Sequence, residues 1–238
     1  KEVTNIEIFK FKNQNLPEYR IPYVYKNITN DYNNVIIMEN IKGLTINDIS
    51  HDINLKENFA KLFLKFGIIS ILYNSAIHND LHAGNVFFYI NNENSLLPKY
   101  QLGFIDFGLC CFPDKNNQNS YYYFFYEINI NKKLDNIEEI DKLLSVIIEE
   151  KDNLINFKNN NNEKYKKNKK KKIEILKKYS ETEMLDYEFI NKLVYILKKK
   201  KFNISKEFNQ ICFGLKIVES IISNLSLKPK KIQNEVIK

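Results

Sequence analysis

The chain lacks several features that define common classes of protein. It contains no tryptophan and only three cysteines, of which Cys110 and Cys111 are adjacent and Cys212 is distant. Without a Cys-x-x-Cys pair, neither a zinc site nor a disulfide framework is indicated. No apolar run approaches the roughly 20 residues of a membrane-spanning helix, and no signal peptide is visible. We therefore predict an intracellular protein in a reducing compartment, without a transmembrane helix.

Apolar and aromatic side chains, in contrast, are plentiful. Hydrophobic residues make up 44% of the 238 positions, and the chain carries 15 Tyr and 17 Phe. This content supports a sizeable core and argues against disorder of the whole chain. The net charge of +7 comes largely from lysine-rich runs at residues 164–172 and 198–201. Because the rest of the chain is nearly balanced, the charge gives no reason to expect specific nucleic-acid binding.

The first third of the chain is predicted to mix helix and strand. Residues 1–12 are predicted to form a helix. Residues 21–28 and 35–39 have the composition of two strands, which the turn-rich residues 30–34 would join. Residues 55–73 carry apolar side chains at helical spacing, which predicts a long helix with a broad buried face.

The remainder is predicted to be a β-hairpin followed by helices. The hairpin pairs residues 86–90 with residues 100–105 around a polar loop. Residues 156–172 are a low-complexity Asn/Lys run, which predicts an insertion. The predicted helices rest on the following features: a capping box at Asp135 and Glu138, an apolar repeat through Phe189, Leu193 and Ile196, and a last helix that Ser205 caps and that stops before Pro229.

Three polar side chains are predicted to meet at the ends of the hairpin. Asp80 and Asn85 lie in a loop between the long helix and the first hairpin strand, and Asp106 follows the second strand. Because a hairpin brings its two ends together, these side chains should converge. Two carboxylates and an amide oxygen suit Mg²⁺, which completes its shell with phosphate and water. The alternative is that Asp80 and Asp106 only cap turns.

The spacing of these residues is typical of kinase phosphoryl transfer. In kinases a loop Asp accepts the proton of the nucleophile, an Asn five residues later holds one metal ion, and the Asp of Asp-Phe-Gly holds metal that bridges the phosphates. Asp80, Asn85 and Asp106 fit these positions in order, and Gly108 allows a sharp turn after the last of them. His78, which precedes the loop, is expected to support it by packing. The sequence therefore predicts binding of ATP with Mg²⁺.

An upstream segment has the pattern of a kinase hinge. In the run VIIMEN at residues 35–40, Met38 takes the position of the gatekeeper. The backbone groups of Glu39 and Ile41 would then meet the adenine of ATP. Taken alone, the pattern is equally that of an edge strand whose Met packs in the core.

These segments together resemble the UbiB/ADCK (aarF-domain) family of atypical protein-kinase-like proteins. The resemblance implies an α+β, protein-kinase-like fold. Residues 41–238 would be a mostly helical C-lobe with a small β-hairpin at the active site, and residues 1–40 would be a remnant of the N-lobe. The segments that carry the resemblance are VIIMENIKGLTI at residues 35–46, HNDLHAGN at residues 78–85, GFIDFGL at residues 103–109, Glu2-Val3-Thr4-Asn5, IPYVY at residues 21–25, and residues 204–229.

The resemblance also implies roles for individual residues. Asp80 would be the catalytic-loop aspartate, and Asn85 and Asp106 would be the metal ligands. His82 lies where protein kinases carry a phosphate-contacting Lys, so it would either donate to a phosphate or hold the loop by hydrogen bonds. Glu2 would be the C-helix glutamate, and its partner, the ATP-binding lysine, is expected upstream of this chain.

On this basis the sequence predicts an atypical kinase or ATPase that transfers the terminal phosphate of Mg-ATP to an unknown protein, lipid or small-molecule acceptor. The cytoplasm is the expected compartment, and the resemblance adds mitochondria as an alternative. One alternative function is an aminoglycoside- or choline-kinase-like phosphotransferase, because those enzymes share the loop pattern. Another is a catalytically inactive pseudokinase scaffold. A conventional protein kinase is disfavoured because no Ala-Pro-Glu follows Asp106.

Overall fold

The computed structural model has the mixed helix and strand content of an α+β fold. The residues it describes are 1–29, 35–92, 95–128, 137–149, 187–199 and 201–226, together with 170, 174 and 236. Asp135, Pro229 and nearly all of the predicted Asn/Lys insertion lie outside these residues.

The chain divides into two compact units. Unit 1 comprises Lys1–Phe112 and Phe213–Lys238, and unit 2 comprises Pro113–Cys212. The lobe boundary at residue 40 stays a prediction. None of the helices within the described ranges has the length and apolar character needed to cross a membrane.

The described residues of unit 1 form three helices, five short strands and the C-terminal part of a fourth helix. The elements are α1 (Glu2–Lys12), β1 (Tyr19–Arg20), α2 (Lys26–Thr29), α3 (Ile53–Leu72), β2 (Ile77–His78), β3 (Val86–Ile90), β4 (Tyr100–Phe104) and β5 (Cys110–Cys111). Strands β1, β4 and β3 form one sheet in that order, with β1 parallel and β3 antiparallel to β4. Strands β2 and β5 form a separate antiparallel pair. The predicted hairpin of β3 and β4 is therefore confirmed.

Helix α3 supplies much of the core of unit 1. It begins after Asp52, whose carboxylate accepts hydrogen bonds from the backbone N–H groups of Asn54 at 2.9 Å and Leu55 at 3.0 Å. Phe59, Phe63 and Phe66 recur at helical spacing and are almost fully buried. The cap and the buried stripe confirm the predicted long helix.

The two predicted strands at residues 21–28 and 35–39 are not formed, and this prediction was wrong. These segments share one antiparallel bridge between Val24 and Met38, and α2 begins directly after it, at Lys26. The Thr29 hydroxyl accepts a hydrogen bond from the Ile37 N–H at 3.1 Å, where a strand partner would otherwise bind. Apolar side chains such as Val35 are exposed. Val24 and Met38 pack on the core while Val35 does not, so the buried contact supports the single bridge and does not extend along a ladder.

Unit 2 is mainly helical. Its elements are a 3₁₀-helix (Lys115–Asn117), α4 (Gln118–Tyr122), a π-helix (Tyr123–Ile128), α5 (Ile137–Ile147), β6 (Ile148–Glu149), α6 (Tyr187–Lys199) and β7 (Asn203–Ile204). Helix α7 (Lys206–Leu225) begins in unit 2 and ends in unit 1. The Ser205 hydroxyl accepts from the Phe208 N–H at 3.2 Å, which confirms the predicted cap.

Glu207 ties the first residues of unit 2 to α7. Its carboxylate accepts hydrogen bonds from the Asp114 N–H at 2.9 Å, from the Asn117 amide at 2.9 Å and from the Tyr121 hydroxyl at 2.5 Å. A carboxylate with three donors fixes the segment that follows the Asp-Phe-Gly motif.

We expect Gly214→Ala to destabilise the protein, although Ala for Gly inside a helix normally stabilises by about 1 kcal/mol. A Cβ at Gly214 would overlap Ile77 Cγ2 and lie 2.8 Å from Asn79 Oδ1. Overpacking of this kind should leave a net loss of about 1–2 kcal/mol. Urea denaturation measures the change. Ser220→Ala, on an exposed position of α7, is the control, and its free energy of unfolding should stay within about 0.5 kcal/mol of the parent value. A gain in stability for Gly214→Ala would contradict the close contact at this position.

Candidate active site

The loop that joins β2 to β3 holds its own polar residues in place. The Asn85 side-chain amide donates to the carbonyl of Asp80 at 2.8 Å. The backbone N–H of Asn85 donates to the carbonyl of His82, and the N–H of His82 donates to the carbonyl of Asp80, both at 2.9 Å. This bond from one N–H of the buried Asn85 amide orients the side chain, and its Oδ1 is the atom that can bind a cation.

Asp106 reaches the same loop through its neighbour. The N–H of Ile105 donates to the carbonyl of Asn85 at 3.1 Å. Asp106 itself is exposed and has a φ of 60°, in the left-handed region that few residues other than glycine adopt. Its carboxylate accepts the Gly108 N–H at 3.3 Å. Strained backbone of this kind concentrates at functional sites.

The His78 side chain connects the loop at Asp80 to the end of the strand that precedes Asp106. Its Nδ1 accepts the backbone N–H of Asp80 at 3.2 Å, so Nε2 carries the proton and donates to the carbonyl of Ile105 at 3.1 Å. The residue is 2% exposed. Burial lowers the pKa of His78 from 6.5 to about 4, although the Ile105 carbonyl and the charges of Asp106 and Asp80 act in the opposite direction. A neutral imidazole therefore bridges the loop and the strand that precedes Asp106.

Helix α1 contacts Phe107, the residue that follows Asp106. The rings of Phe9 and Phe107 lie 5.3 Å apart, and those of His78 and Phe107 lie 4.9 Å apart. The buried Asn5 amide donates to the carbonyl of Phe107 at 2.6 Å. Sequence reasoning gave Asn5 no role. A polar residue on the buried face of α1, beside Ile6, was the signal that could have identified it.

His82 and Glu2 lie at the edges of the site. His82 is exposed, and its Nδ1 accepts the Gly84 N–H at 3.1 Å, which leaves Nε2–H as a donor. Glu2 lies in the first turn of α1 and is half-buried.

The Cys110 thiol is half-buried in β5, shortly after the Asp-Phe-Gly motif. The pKa of Cys110 is raised to about 12, chiefly by burial and in smaller part by Cys111, Glu2 and Asp106, whereas Lys1 acts in the opposite direction.

The predicted hinge residues join the sheet beside this loop. Met38 is half-buried against the core of unit 1, and the Glu39 N–H donates to the carbonyl of Tyr23 at 2.7 Å. Ile41 is buried. Leu44 and Phe88 then exchange two backbone hydrogen bonds of 2.8 Å. The segment therefore attaches to β3, the strand that begins directly after Asn85.

The donor set fits a magnesium ion that phosphate oxygens help to coordinate. Asn85 and Asp106 supply one amide oxygen and one carboxylate, which are hard ligands of the type Mg²⁺ prefers, and Asp80 lies in the same loop as Asn85. Within the described ranges no three His, Cys, Asp or Glu side chains form a metal cluster. A site of this kind therefore depends on the amide of Asn85 and on oxygens from the nucleotide.

Comparison with protein-family models identifies the domain to which this part of the chain belongs. A family model described as the ABC1 atypical kinase-like domain matches residues 1–141. This span includes all of the site residues described above. Neither the curated proteins nor the solved structures gave a match.

The buried imidazole predicts a dependence of stability on pH. His78 has a folded-state pKa of about 4, below the 6.5 of the unfolded chain. Its contribution is therefore fully present above pH 6.5 and is lost as the pH falls toward 4. We expect the free energy of unfolding to drop by about 2 kcal/mol between pH 7 and pH 5 from this group alone.

Urea denaturation of the parent and of His78→Gln, at both pH values and without added metal, isolates this contribution. The variant should be less stable at pH 7, and its disadvantage should shrink by pH 5. Equal pH dependence in the two proteins would contradict a neutral buried His78.

Proposed function

The chain belongs to the ABC1 atypical kinase-like domain family, the domain of the UbiB/ADCK proteins, and on that premise we propose that it binds Mg-ATP and transfers the terminal phosphate to an acceptor. The observation that carries the proposal is the hydrogen-bonded convergence of Asp80, Asn85 and the segment that bears Asp106. Kinase catalysis depends chiefly on positioning and charge neutralisation, so a fixed arrangement of these groups is what the reaction needs.

Asn85 and Asp106 are the residues that would hold Mg²⁺. The hydrogen bond from its NH₂ group to Asp80 orients the amide of Asn85, and Asp106 is exposed and has a left-handed backbone. The ion, when bound, would neutralise phosphate charge.

Asp80 is the group proposed to act on the acceptor. Its N–H is held by His78, and its carbonyl accepts from Asn85 and His82. The carboxylate is left to orient the acceptor hydroxyl or water and to accept its proton. His82, which is exposed and retains Nε2–H, would donate to a phosphate oxygen.

The nucleotide base would lie against the hinge segment. The carbonyl of Glu39 and the N–H of Ile41 are proposed to bond the adenine edge, with Met38 beside them. Glu2 would pair with a lysine that contacts the phosphates.

We expect Mg²⁺-dependent binding of ATP to the full-length protein, and at least a tenfold loss of affinity in Asp106→Asn, because the substitution removes a charged metal ligand. Isothermal titration calorimetry with and without Mg²⁺ measures it. Asp141→Asn, which removes a carboxylate from α5, is the matched control and should bind as the parent does. No binding by a folded protein would refute the enzyme proposal and leave a kinase-shaped scaffold.

We expect Asp80→Asn to separate binding from chemistry. Affinity for Mg-ATP should stay within about threefold of the parent, because Asp80 acts on the acceptor. Phosphate release or transfer should fall by about 10²–10⁴-fold, the usual contribution of a general base. A variant that turns over at the parental rate would remove Asp80 from its proposed role.

A further inference from the structure

The only arginine of the sequence, Arg20, contacts the hinge segment. Arg20, at the end of β1, pairs with Glu39 at 3.4 Å between Nη2 and Oε1. The second oxygen of the same carboxylate accepts the backbone N–H of Tyr23 at 3.2 Å. The guanidinium also lies 4.4 Å from the centre of the Tyr89 ring. Two neighbouring groups, the Arg20 guanidinium and the Tyr23 N–H, therefore hold the Glu39 carboxylate, and the Tyr89 ring packs against the guanidinium.

The Tyr89 ring fills a space that two glycines provide. A Cβ at Gly43 would lie 3.0 Å from Tyr89 Cζ, and a Cβ at Gly103 would lie 2.8 Å from Tyr89 Cε2. The Cβ at Gly103 would also lie 2.8 Å from Cγ2 of Ile41. Both the ring and Ile41 therefore approach the sheet more closely than a larger residue would allow.

This packing fixes the hinge at both ends. The side chain of Glu39 is held by Arg20, and its N–H is used by Tyr23. The side chain of Ile41 is buried over Gly103. Within the described part of the chain, the carbonyl of Glu39 and the N–H of Ile41 have no hydrogen-bond partner. The Glu39 carbonyl and the Ile41 N–H are thus one acceptor and one donor on a backbone whose side chains are held in place.

We propose that the brace formed by Arg20, Glu39 and Tyr89 makes the hinge select adenine over guanine nucleotides. The inference rests on the proposed function. Adenine offers a 6-amino donor and an N1 acceptor, which match the carbonyl of Glu39 and the N–H of Ile41. Guanine offers the reverse at the same atoms, an O6 acceptor and an N1–H donor. Discrimination requires that the two backbone groups cannot turn to suit guanine, because a flexible site would satisfy either base.

Arg20 acts as a positioning residue. It does not touch the nucleotide, so its effect must pass through the orientation of Glu39. An ion pair with both partners 38% exposed contributes little to stability. Arginine differs from lysine here because only its planar guanidinium can pair with the carboxylate and lie over the ring at the same time.

The test compares Mg-ATP and Mg-GTP binding by calorimetry in the parent, Arg20→Met, Arg20→Lys and Lys65→Met. Lys65 forms an ion pair with Glu18 at 3.1 Å, so its variant removes a cation of similar exposure outside the brace. We expect Arg20→Met to weaken ATP binding by about three- to tenfold and GTP binding less, which lowers the ATP-to-GTP preference. Arg20→Lys should fall between, and Lys65→Met should match the parent.

Thermal unfolding of each variant separates loss of the brace from loss of fold. Glu39→Gln, which keeps the shape of the side chain and removes its charge, replaces Arg20→Met if that variant does not fold, and it should lower the preference in the same direction. A preference that is unchanged in the brace variants, or changed as much in Lys65→Met, would overturn the inference alone. Failure of the folded parent to bind Mg-ATP would overturn the proposed function and the inference with it.

Discussion

The arrangement of the site depends on one neutral imidazole. His78 accepts from the backbone of Asp80 with one ring nitrogen and donates to the backbone of Ile105 with the other. A protonated ring would lose the first bond, and a ring of the other tautomer would lose both. Burial keeps the imidazole neutral, so the same low-polarity surroundings that exclude water also select its proton arrangement. The loop and the Asp-Phe-Gly strand are thereby joined without any contact between charged side chains.

Burial around this imidazole also holds a strained backbone in place. Asp106 adopts a left-handed conformation, which is tolerated when the surrounding structure fixes the residues on either side. On one side Ile105 is bonded to Asn85 and His78, and on the other Phe107 is buried under the α1 residues Phe9 and Asn5. Helix α1 therefore contributes to the proposed chemistry by constraining the Asp-Phe-Gly motif.

Local sequence patterns predicted the elements that are long or strongly periodic. The apolar repeat predicted α3, and the β-forming residues around a polar loop predicted the pair β3 and β4. The same reasoning failed for the strands expected at residues 21–28 and 35–39. Their composition suits a strand, but several of their apolar side chains stay exposed, and Thr29 takes a hydrogen bond that a ladder would have used. The secondary structure of short segments depends on contacts of this kind, which the sequence of the segment itself does not contain.

The sequence by itself determined the identity and order of the chemical groups, because the spacing of Asp80, Asn85 and Asp106 is carried by contiguous motifs. It also determined the family, through residues 1–141. Only the tertiary structure decided how those groups are supported. The bond from Asn5 to Phe107 spans 102 positions, and that from Arg20 to Glu39 joins a strand to the hinge. Contacts of that kind arise when distant segments share a core, and no local pattern of residues specifies them.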